Sequence, residues 1–306
     1  MAATDIEEHV RTDSPKAWLL ASRPKTLSGA AVPVMIGLAL AYSDASHIDY
    51  STFKWLPALL CLLFAFIMQI DANFVNDYFD YVNGSDNREK RLGPKRACTQ
   101  GWVRLESMRR AIAFTTAIAC LVGLPLVVYG GVEMILIGIV CVAFCFLYTT
   151  HLSSKGLGDV LVVVFFGLVP VCTVYFIQLR QCTPIVVWAA VACGIVIDAL
   201  LTINNFRDRD TDREAGKTTL VVVIGERNSL RLYLAIGWAA FLMGAAFAAA
   251  GHPLSWALQL PYIVLHCLTY RKMRRIFRGK QLNECLADTS RNILVYGITV
   301  SIGLLL

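Results

Sequence analysis

The sequence has few charged residues and lacks the short motifs that mark several large enzyme classes. Only 16% of its 306 residues are charged and 57% are hydrophobic, whereas soluble domains are typically about 25% charged. It contains no GxxxxGK[ST] or GxGxxG segment, so we do not expect phosphate to be held as in nucleotide enzymes. The net charge of +6 arises in loops between apolar runs, which argues against a nucleic-acid partner.

The ten cysteines form no recognisable pattern, and no CxxC is present. Most lie within apolar runs, where cysteine acts as a small hydrophobic residue, so we expect neither a disulfide framework nor a zinc site. The first residues, MAATDIEEHVRTDSPKAW, lack the apolar core and cleavage site of a signal peptide. We therefore expect residues 1–16 to be a flexible arm and the first spanning helix to direct membrane insertion.

Repeated apolar runs predict an all-α polytopic membrane protein embedded in a lipid bilayer. We expect a single transmembrane domain over residues 1–306, with about nine spans. The predicted spans are Leu27–Tyr42, Trp55–Tyr78, Arg110–Tyr129, Val132–Thr150, Asp159–Leu179, Ile185–Asn205, Leu230–Ala250, Leu254–Arg271 and Thr289–Leu306.

Lysine and arginine alternate between the connections of these spans. The N-terminal arm and the loops after the second, fourth, sixth and eighth spans carry them, whereas the remaining loops carry few. Because positively charged loops stay in the cytoplasm, this pattern predicts the N-terminus inside and the C-terminus outside.

Two acidic stretches end the second and sixth predicted spans, on that same cytoplasmic side. They read NFVNDYFDYVNGSD over 73–86 and NNFRDRDTD over 204–212. Residues three and four apart share one helix face, and carboxylates near membrane depth mark functional sites. The two faces are formed by Asn73, Asn76, Asp77 and Asp80 and by Asn204, Asn205, Asp208 and Asp212.

Carboxylate and amide oxygens suit Mg²⁺, which uses one or two carboxylates and completes its shell with water and substrate phosphate. The alternative is that both stretches are solvated helix ends. We name Asp77, Asp80, Asp208 and Asp212 as metal ligands, with Asp86 as a weaker candidate.

Basic residues follow both faces. They are Lys90, Arg91, Lys95 and Arg96 after the first, and Arg207 and Lys217 within and after the second. Cations beside a metal site favour a polyanion between them, and a diphosphate fits that requirement. The alternatives are lipid headgroups, topology alone, and for Arg207 a salt bridge to a neighbouring aspartate.

If the diphosphate is attached to an allylic isoprenoid, its long prenyl tail would lie in the apolar bundle, which accounts for a site at membrane depth. Departure of the diphosphate leaves a carbocation that must be shielded from water and that aromatic faces stabilise. The aromatic candidates are Phe74, Tyr78, Phe79, Tyr148 and Tyr175, for which lipid-facing packing is the alternative.

Two polar residues lie deeper on these faces. Gln69 precedes Asn73 by four residues, and Asp198 precedes Asn205 by seven. Asp198 could orient a hydroxylated acceptor, or it could be a hydrogen-bonded packing residue. Lys155, in the loop after the fourth span, could meet an anionic acceptor group.

These stretches resemble the UbiA superfamily of intramembrane aromatic prenyltransferases over nearly the whole chain. Several segments look like the branch that prenylates 1,4-dihydroxy-2-naphthoate. They are the first acidic stretch, RPKTL, PVMIG, GPKRACTQGWV, LYTTHLSSKGLGD, NNFRDRDTDREAGKTTLVVVIG and LNECLADTSRNILVYG. The acidic motifs are specific to the superfamily, and the segment after Asp212 is specific to the branch.

The resemblance implies nine helices around a central cavity with a polar cap at its cytoplasmic mouth. It also implies Mg²⁺-dependent transfer from a polyprenyl diphosphate, with Asn76, Asp77, Asp80, Asp208 and Asp212 at Mg²⁺ and diphosphate. Many members repeat a carboxylate four residues after the position of Asp80, and here Gly84 stands there. Asp86 is the next acid, so its part in metal binding is open.

We therefore expect an enzyme of the bacterial cytoplasmic membrane that makes demethylmenaquinone, with loss of diphosphate and CO₂. Loss of the acceptor's carboxylate implies a cation for it, and Lys155, Arg23 and Lys25 are the candidates. The alternatives are prenylation of another acceptor, such as 4-hydroxybenzoate, and a cation-coupled transporter.

Overall fold

A computed structural model describes residues 10–84, 91–148 and 156–306, and all regular structure in these ranges is helical. The helices, in chain order, are α1 (Pro15–Ser22), α2 (Leu27–Ile48), α3 (Trp55–Val82), α4 (Leu105–Gly123), α5 (Leu126–Gly130), α6 (Glu133–Leu147), α7 (Gly158–Val163), α8 (Val169–Leu179), α9 (Pro184–Glu214), α10 (Leu220–Met243), α11 (Ala245–Ala249), α12 (Pro253–Ala257), α13 (Leu260–Ile276) and α14 (Leu282–Leu305).

Each of the nine predicted spans overlaps one or more of these helices, and the last two residues of the fourth span, Thr149 and Thr150, lie outside the described residues. Six helical stretches in the described ranges are long and apolar enough to cross a membrane. They begin at Pro15, Trp55, Leu105, Gly158, Pro184 and Leu220. The all-helical membrane architecture is confirmed, while the number of nine crossings stays a prediction.

The two helices that carry the acidic stretches run further than predicted. The helix α3 continues to Val82 and α9 continues to Glu214, past the expected ends at Tyr78 and Asn205. Aspartates are tolerated in the last turns because nearby groups pair with them, on another element for Asp80 and Arg96 and on the same helix for Asp208 and Arg207. Both acidic stretches therefore project from rigid helices rather than from loops.

Local chemistry explains where several helices begin. Ser14 caps α1 by accepting a hydrogen bond from Ala17 N at 3.3 Å, and proline follows at the first helical position. Thr219 caps α10 in the same way through Val222 N, at 3.4 Å. Serine and threonine favour these positions because their oxygens satisfy amides that have no partner inside the helix.

Small residues let α9 pass close to its neighbours. A Cβ added at Gly194 would lie 2.7 Å from Cα of Val163, and one at Gly167 would lie 2.4 Å from the carbonyl oxygen of Ala190. Between α7 and α8 the chain forms a π-helical turn over Val164–Leu168. Such close packing, typical of membrane helices, places α9 against the wall of a central cavity.

Large apolar side chains remain exposed on the outer faces of the bundle. Leu121 is 70% exposed and Val128 is 83% exposed. On a soluble protein such a belt would be a liability, but it suits a surface that faces lipid. The chain is thus an integral membrane protein with a packed interior built mainly on α2, α8, α9 and α14.

Candidate active site

One large cavity of approximately 1380 Å³ opens among the helices. Its wall changes from polar to apolar along α3, where Asn76, Ala72, Met68, Ala65 and Cys61 line it in succession. These residues recur at three- and four-residue intervals on one helix face. At 1.5 Å per residue the lined length of α3 is about 22 Å, which is long enough to enclose an extended chain.

The polar end of the cavity is strongly cationic. Six lysine and arginine residues line the cavity, and no carboxylate does so among the described residues. The cations are Arg23, Lys25, Arg91, Lys95, Arg96 and Lys280. Such a wall favours a polyanionic group, since like charges held together are costly without one.

The first acidic face divides into two pairs with different contacts. Asn76 lines the cavity, and Asp80 forms an ion pair with Arg96. Asn73 instead donates to the carbonyl oxygen of Ser22 at 2.9 Å and to Thr26 Oγ1 at 3.0 Å. Asn73 thereby holds the α1–α2 junction, which carries Arg23 and Lys25, against α3.

Asp77 is fully buried and holds the loop that follows the first acidic stretch. Its Oδ2 accepts from Ala97 N at 2.8 Å and its Oδ1 accepts from Cys98 N at 3.1 Å. Burial, with a contribution from the nearby Asp77 carboxylate, raises the pKa of the Cys98 thiol to about 12. In this structure both oxygens of Asp77 serve the loop backbone.

The far side of the same loop is tied to the N-terminal segment. Asp13 N donates to the carbonyl oxygen of Trp102 at 2.8 Å, and the Asp13 carboxylate accepts from Arg104 N at 3.1 Å. Thr12 Oγ1 donates to the carbonyl oxygen of Gly101 at 3.0 Å. Residues 12 and 13 of the predicted arm are therefore attached to the loop that closes one side of the cavity.

Arg207 organises the second acidic stretch. Its side chain, 2% exposed, donates from Nε and Nη2 to the two oxygens of Asp208 at 2.8 and 2.5 Å. Nη2 also donates to Asn204 Oδ1, at 2.6 Å, and Asn204 lines the cavity. The predicted salt bridge between Arg207 and a neighbouring aspartate is present.

The remaining polar residues of α9 lie outside the cavity wall. Asp212 pairs with Lys217 at 3.1 Å, and Asn205 is partly buried. Asp198 is 6% exposed and is not a lining residue, although the adjacent Ile197 is. Its Oδ1 is buried and has no hydrogen-bond partner among the described residues, so both roles suggested for Asp198 stay predictions.

Most of the predicted catalytic, metal-binding and substrate-binding residues fall into three groups. Gln69, Asn76, Arg91, Lys95, Arg96 and Tyr148 line the cavity. Asp80, Arg207 and Asp208 lie behind the cavity wall. Asp80 contacts the lining residue Arg96, and Arg207 binds both Asp208 and the lining residue Asn204. Asp86, Lys90 and Lys155 lie outside the described residues.

Several cavity residues were not predicted from the sequence. Asn283, Lys280, Gln100 and Gly93 line the polar end although they lie outside both acidic stretches. The segment LNECLADTSRN, noted for its resemblance, contains Asn283, and the basic run after the eighth span ends at Lys280. Only the folded chain shows that these positions reach the cavity.

The two acidic stretches meet at the loop between α3 and α4, in the part that the structure describes from residue 91 onward. Arg96 of this loop pairs with Asp80, and Gly93 lies against the Arg207 guanidinium. Among the described residues no three His, Cys, Asp or Glu side chains form a cluster that would enclose a metal ion. Mg²⁺ does not need a complete shell of protein ligands, because water and substrate phosphate supply the remaining oxygens. The carboxylate and amide oxygens at this site therefore fit Mg²⁺.

The chain is similar to curated proteins whose names describe prenyltransferases or prenyltransferase domains. It is 38% identical over 239 residues to 1,4-dihydroxy-2-naphthoate octaprenyltransferase of Escherichia coli (strain K12), covering 75% of this chain and 74% of that protein. The enzyme of the same name from Haemophilus influenzae is 30% identical over 305 residues, covering 95% and 96%. UbiA prenyltransferase domain-containing protein 1 of Homo sapiens is 28% identical, covering 95% and 83%.

Solved structures with the same fold have distant sequences. A UbiA homolog from Aeropyrum pernix K1 superposes with a TM-score of 0.67 at 17% identity, over 92% of this chain and 97% of that one. A homolog from Archaeoglobus fulgidus bound to GPP and Mg²⁺ superposes with a TM-score of 0.63 at 13% identity, over 94% and 99%.

A family model agrees with the fold, the cationic cavity and these relatives. It matches residues 30–287, which include both acidic stretches, and it describes prenyltransferases. The transporter alternative is thereby set aside, because the matched proteins transfer prenyl groups. The chain belongs to the UbiA prenyltransferase family.

Proposed function

We propose that this enzyme transfers a polyprenyl group from an allylic diphosphate to 1,4-dihydroxy-2-naphthoate, with release of diphosphate and CO₂. The observation that carries the proposal is the single cavity whose cationic end continues into a long apolar section. A polyprenyl diphosphate has the same division into a polyanionic head and an apolar tail. The name shared by the bacterial relatives supports the choice of acceptor.

The cationic wall would bind the diphosphate. Arg91, Lys95 and Arg96 line the cavity from one side, with Arg23 and Lys25 on the α1–α2 junction. Hydrogen bonds from such cations to phosphate oxygens are charge-assisted and strong. They would neutralise the charge that builds up on the leaving diphosphate as its bond to the prenyl group breaks.

Mg²⁺ would be held by oxygen atoms of Asp80 and Asp208, with Asp212 beside them and Asn76 and Asn204 at the cavity wall. When bound, it supplies Lewis-acid stabilisation of the leaving group. A homolog of the same fold that binds GPP together with Mg²⁺ supports a metal requirement here. We assign Asp77 to holding the loop in place, because both its oxygens accept backbone amides.

In the proposed reaction the C1–O bond of the allylic diphosphate breaks, and its electron pair leaves with the diphosphate. The ring carbon that carries the carboxylate forms the new bond to C1. The bond from that carbon to the carboxylate then breaks, CO₂ departs, and its electron pair restores the aromatic ring. The product is the quinol of demethylmenaquinone.

The apolar section would exclude water from the allylic cation. Phe144 and Phe165 are stacked, with ring centroids 3.5 Å apart, and both line the cavity together with Tyr148. Aromatic faces stabilise a nearby cation, and a dry wall prevents its capture by water. Tyr148 is thus the aromatic candidate from the sequence that lies at the cavity.

We further propose that the cationic end of the cavity faces the cytoplasm of a bacterial cell, with the N-terminus inside and the C-terminus outside. The support is the alternation of lysine and arginine between loops, which follows the positive-inside rule.

The decisive experiment compares acceptors with purified enzyme in detergent. With Mg²⁺ and a polyprenyl diphosphate, 1,4-dihydroxy-2-naphthoate should yield one CO₂ and one diphosphate per product, and EDTA should stop the reaction. Product from 4-hydroxybenzoate, with the carboxylate retained, would replace this acceptor assignment. Turnover that persists in EDTA would refute the Mg²⁺ assignment.

A further inference from the structure

Asn283, near the start of α14, contacts both sides of the cationic site although it belongs to neither acidic stretch. Its Nδ2 donates to the carbonyl oxygen of Leu92 at 2.8 Å. Its Oδ1 accepts from Arg207 Nη1 at 3.0 Å. Because an arginine can only donate and a carbonyl can only accept, these two partners define the orientation of the amide.

The partner on α9 is a side chain on which the second acidic stretch depends. Arg207 is 3% exposed and holds the Asp208 carboxylate with two hydrogen bonds. A buried guanidinium that makes several hydrogen bonds moves as one rigid group. Whatever orients Arg207 therefore also orients Asp208.

Gly93 gives an independent indication that the loop packs tightly against Arg207. A Cβ at residue 93 would lie 2.6 Å from Nη2 and 3.0 Å from Cζ of Arg207. Any side chain there would push the guanidinium aside. The glycine lets the loop lie directly on Arg207, next to the carbonyl group that Asn283 binds.

The loop is thus attached on either side of Lys95 and Arg96. Asn283 holds it at Leu92, and Asp77 holds it at Ala97 and Cys98. Lys95 and Arg96 lie between these attachments and line the cavity. The first attachment comes from α14 and the second from α3, so the loop position depends on both helices.

We propose that Asn283 is a positioning residue that sets the distance between the basic loop and the Arg207–Asp208 pair. The geometry with which the site binds a diphosphate then depends on a side chain outside both acidic motifs. The expected effect on substrate KM rests on the proposed prenyl transfer. The expected effect on the position of the loop does not rest on it.

The structural test uses Asn283→Leu, with Gln281→Leu as the matched control because Gln281 is exposed two residues away. Limited trypsin digestion of the detergent-solubilised enzyme is followed by peptide mass spectrometry. Cleavage after Arg91, Lys95 and Arg96 should be at least about fivefold faster in Asn283→Leu, since the hydrogen bonds that hold the loop are lost. Equal cleavage rates in wild type, control and variant would overturn the proposal, whatever the activity.

The kinetic test measures both substrates separately. Asn283→Leu should raise KM for the polyprenyl diphosphate about tenfold, as expected for loss of hydrogen bonds to a charged group. KM for the aromatic acceptor should stay within about twofold. A general structural defect would instead lower kcat without separating the two KM values, and that result would count against the proposal.

Gly93→Ala perturbs the same contact from the loop side. It should raise KM for the diphosphate substrate, and the double variant should be no worse than the more affected single variant. Sites that share a contact are non-additive, whereas independent sites add. Additive effects would overturn the proposal. If the wild type transfers no prenyl group, the proposed function fails while the trypsin experiment still decides the role of Asn283.

Discussion

Asp80 on α3 and Arg96 on the loop after it form an ion pair at the polar end of the cavity. Arg207 with Asp208 and Lys217 with Asp212 repeat this arrangement on and just after α9. Asp80, Asp208 and Asp212 thus each have a cation beside them in the structure. Binding of a diphosphate and Mg²⁺ would let Arg96, which lines the cavity, turn to phosphate oxygens and Asp80 to the metal, so these partly buried charges stay paired.

The first prediction concerns these carboxylates. Asp80→Asn and Asp208→Asn should each lower kcat at least about 100-fold, the range seen when a group that stabilises transition-state charge is lost. Prenyl transfer to 1,4-dihydroxy-2-naphthoate is the measurement. Asp210→Asn is the control, because Asp210 pairs with Arg213 and Arg278 outside the cavity, and it should retain at least about half of the activity.

The second prediction concerns the attachment of the loop at Asp77. With a pKa of about 12, the Cys98 thiol is protonated at pH 8 and should react slowly with iodoacetamide. Asp77→Ala removes both acceptors of the loop amides, so Cys98 should reach water, its pKa should fall and alkylation should accelerate. Peptide mass spectrometry measures the rate, with exposed Cys182 as the internal reference. An unchanged Cys98 rate would show that Asp77 does not hold the loop.

The third prediction concerns the apolar part of the cavity. Ala65→Trp places a large ring about 11 residues, or roughly 16 Å, along α3 from Asn76. It should lower kcat/KM for long polyprenyl diphosphates by about tenfold and leave a short allylic diphosphate nearly unaffected. Leu63→Trp, whose parent side chain is 40% exposed on the outer face, is the control. A uniform loss for all chain lengths would place the tail elsewhere.

The fourth prediction concerns stability. Arg209 is 1% exposed, donates to the carbonyl oxygens of Phe206 and Phe277 at 2.5 and 2.9 Å and pairs with Glu226 at 3.1 Å. Arg209→Met leaves these acceptors without their donor and should lower the free energy of unfolding by about 2 kcal/mol. Thermal denaturation in detergent checks this as a lower Tm.

Arg213→Met is the matched control for that substitution. Arg213 is 54% exposed and forms only a long ion pair with Asp210, at 3.7 Å. Exposed pairs of this kind contribute between roughly 0 and 1 kcal/mol, so its Tm should stay close to that of the wild type. A control as unstable as Arg209→Met would argue that the contacts of Arg209 are not responsible.

Much of the fold could be predicted because hydropathy and helical period are local properties. Each predicted span falls on a helix, and both acidic stretches lie at the ends of long helices. The boundaries were less accurate, since α9 extends to Glu214 through charged residues that pair both with neighbours in the chain and with other elements. The two deep polar residues differ, since Gln69 lines the cavity whereas Asp198 lies beside its wall.

The sequence by itself determined that this is a helical membrane protein with two acidic faces and basic loops, because spacing along a helix dictates which residues share a face. The tertiary structure decided how each face is used. Asn76 and Asp80 serve the cavity and the cation beside it, whereas Asn73 and Asp77 bind backbone of other segments. The two pairs of side chains differ by only a fraction of a turn around the axis of α3. Their different contacts therefore depend on which segments pack against each side of the helix.

The same holds for contacts between distant parts of the chain. Asn283 joins Arg207, 76 residues away, to Leu92, 191 residues away. Neither contact can be predicted from the local sequence pattern, because both form only when three helices pack together. The acidic stretches of the sequence thus identify the chemistry, and the packing of α3, α9 and α14 sets the geometry in which it occurs.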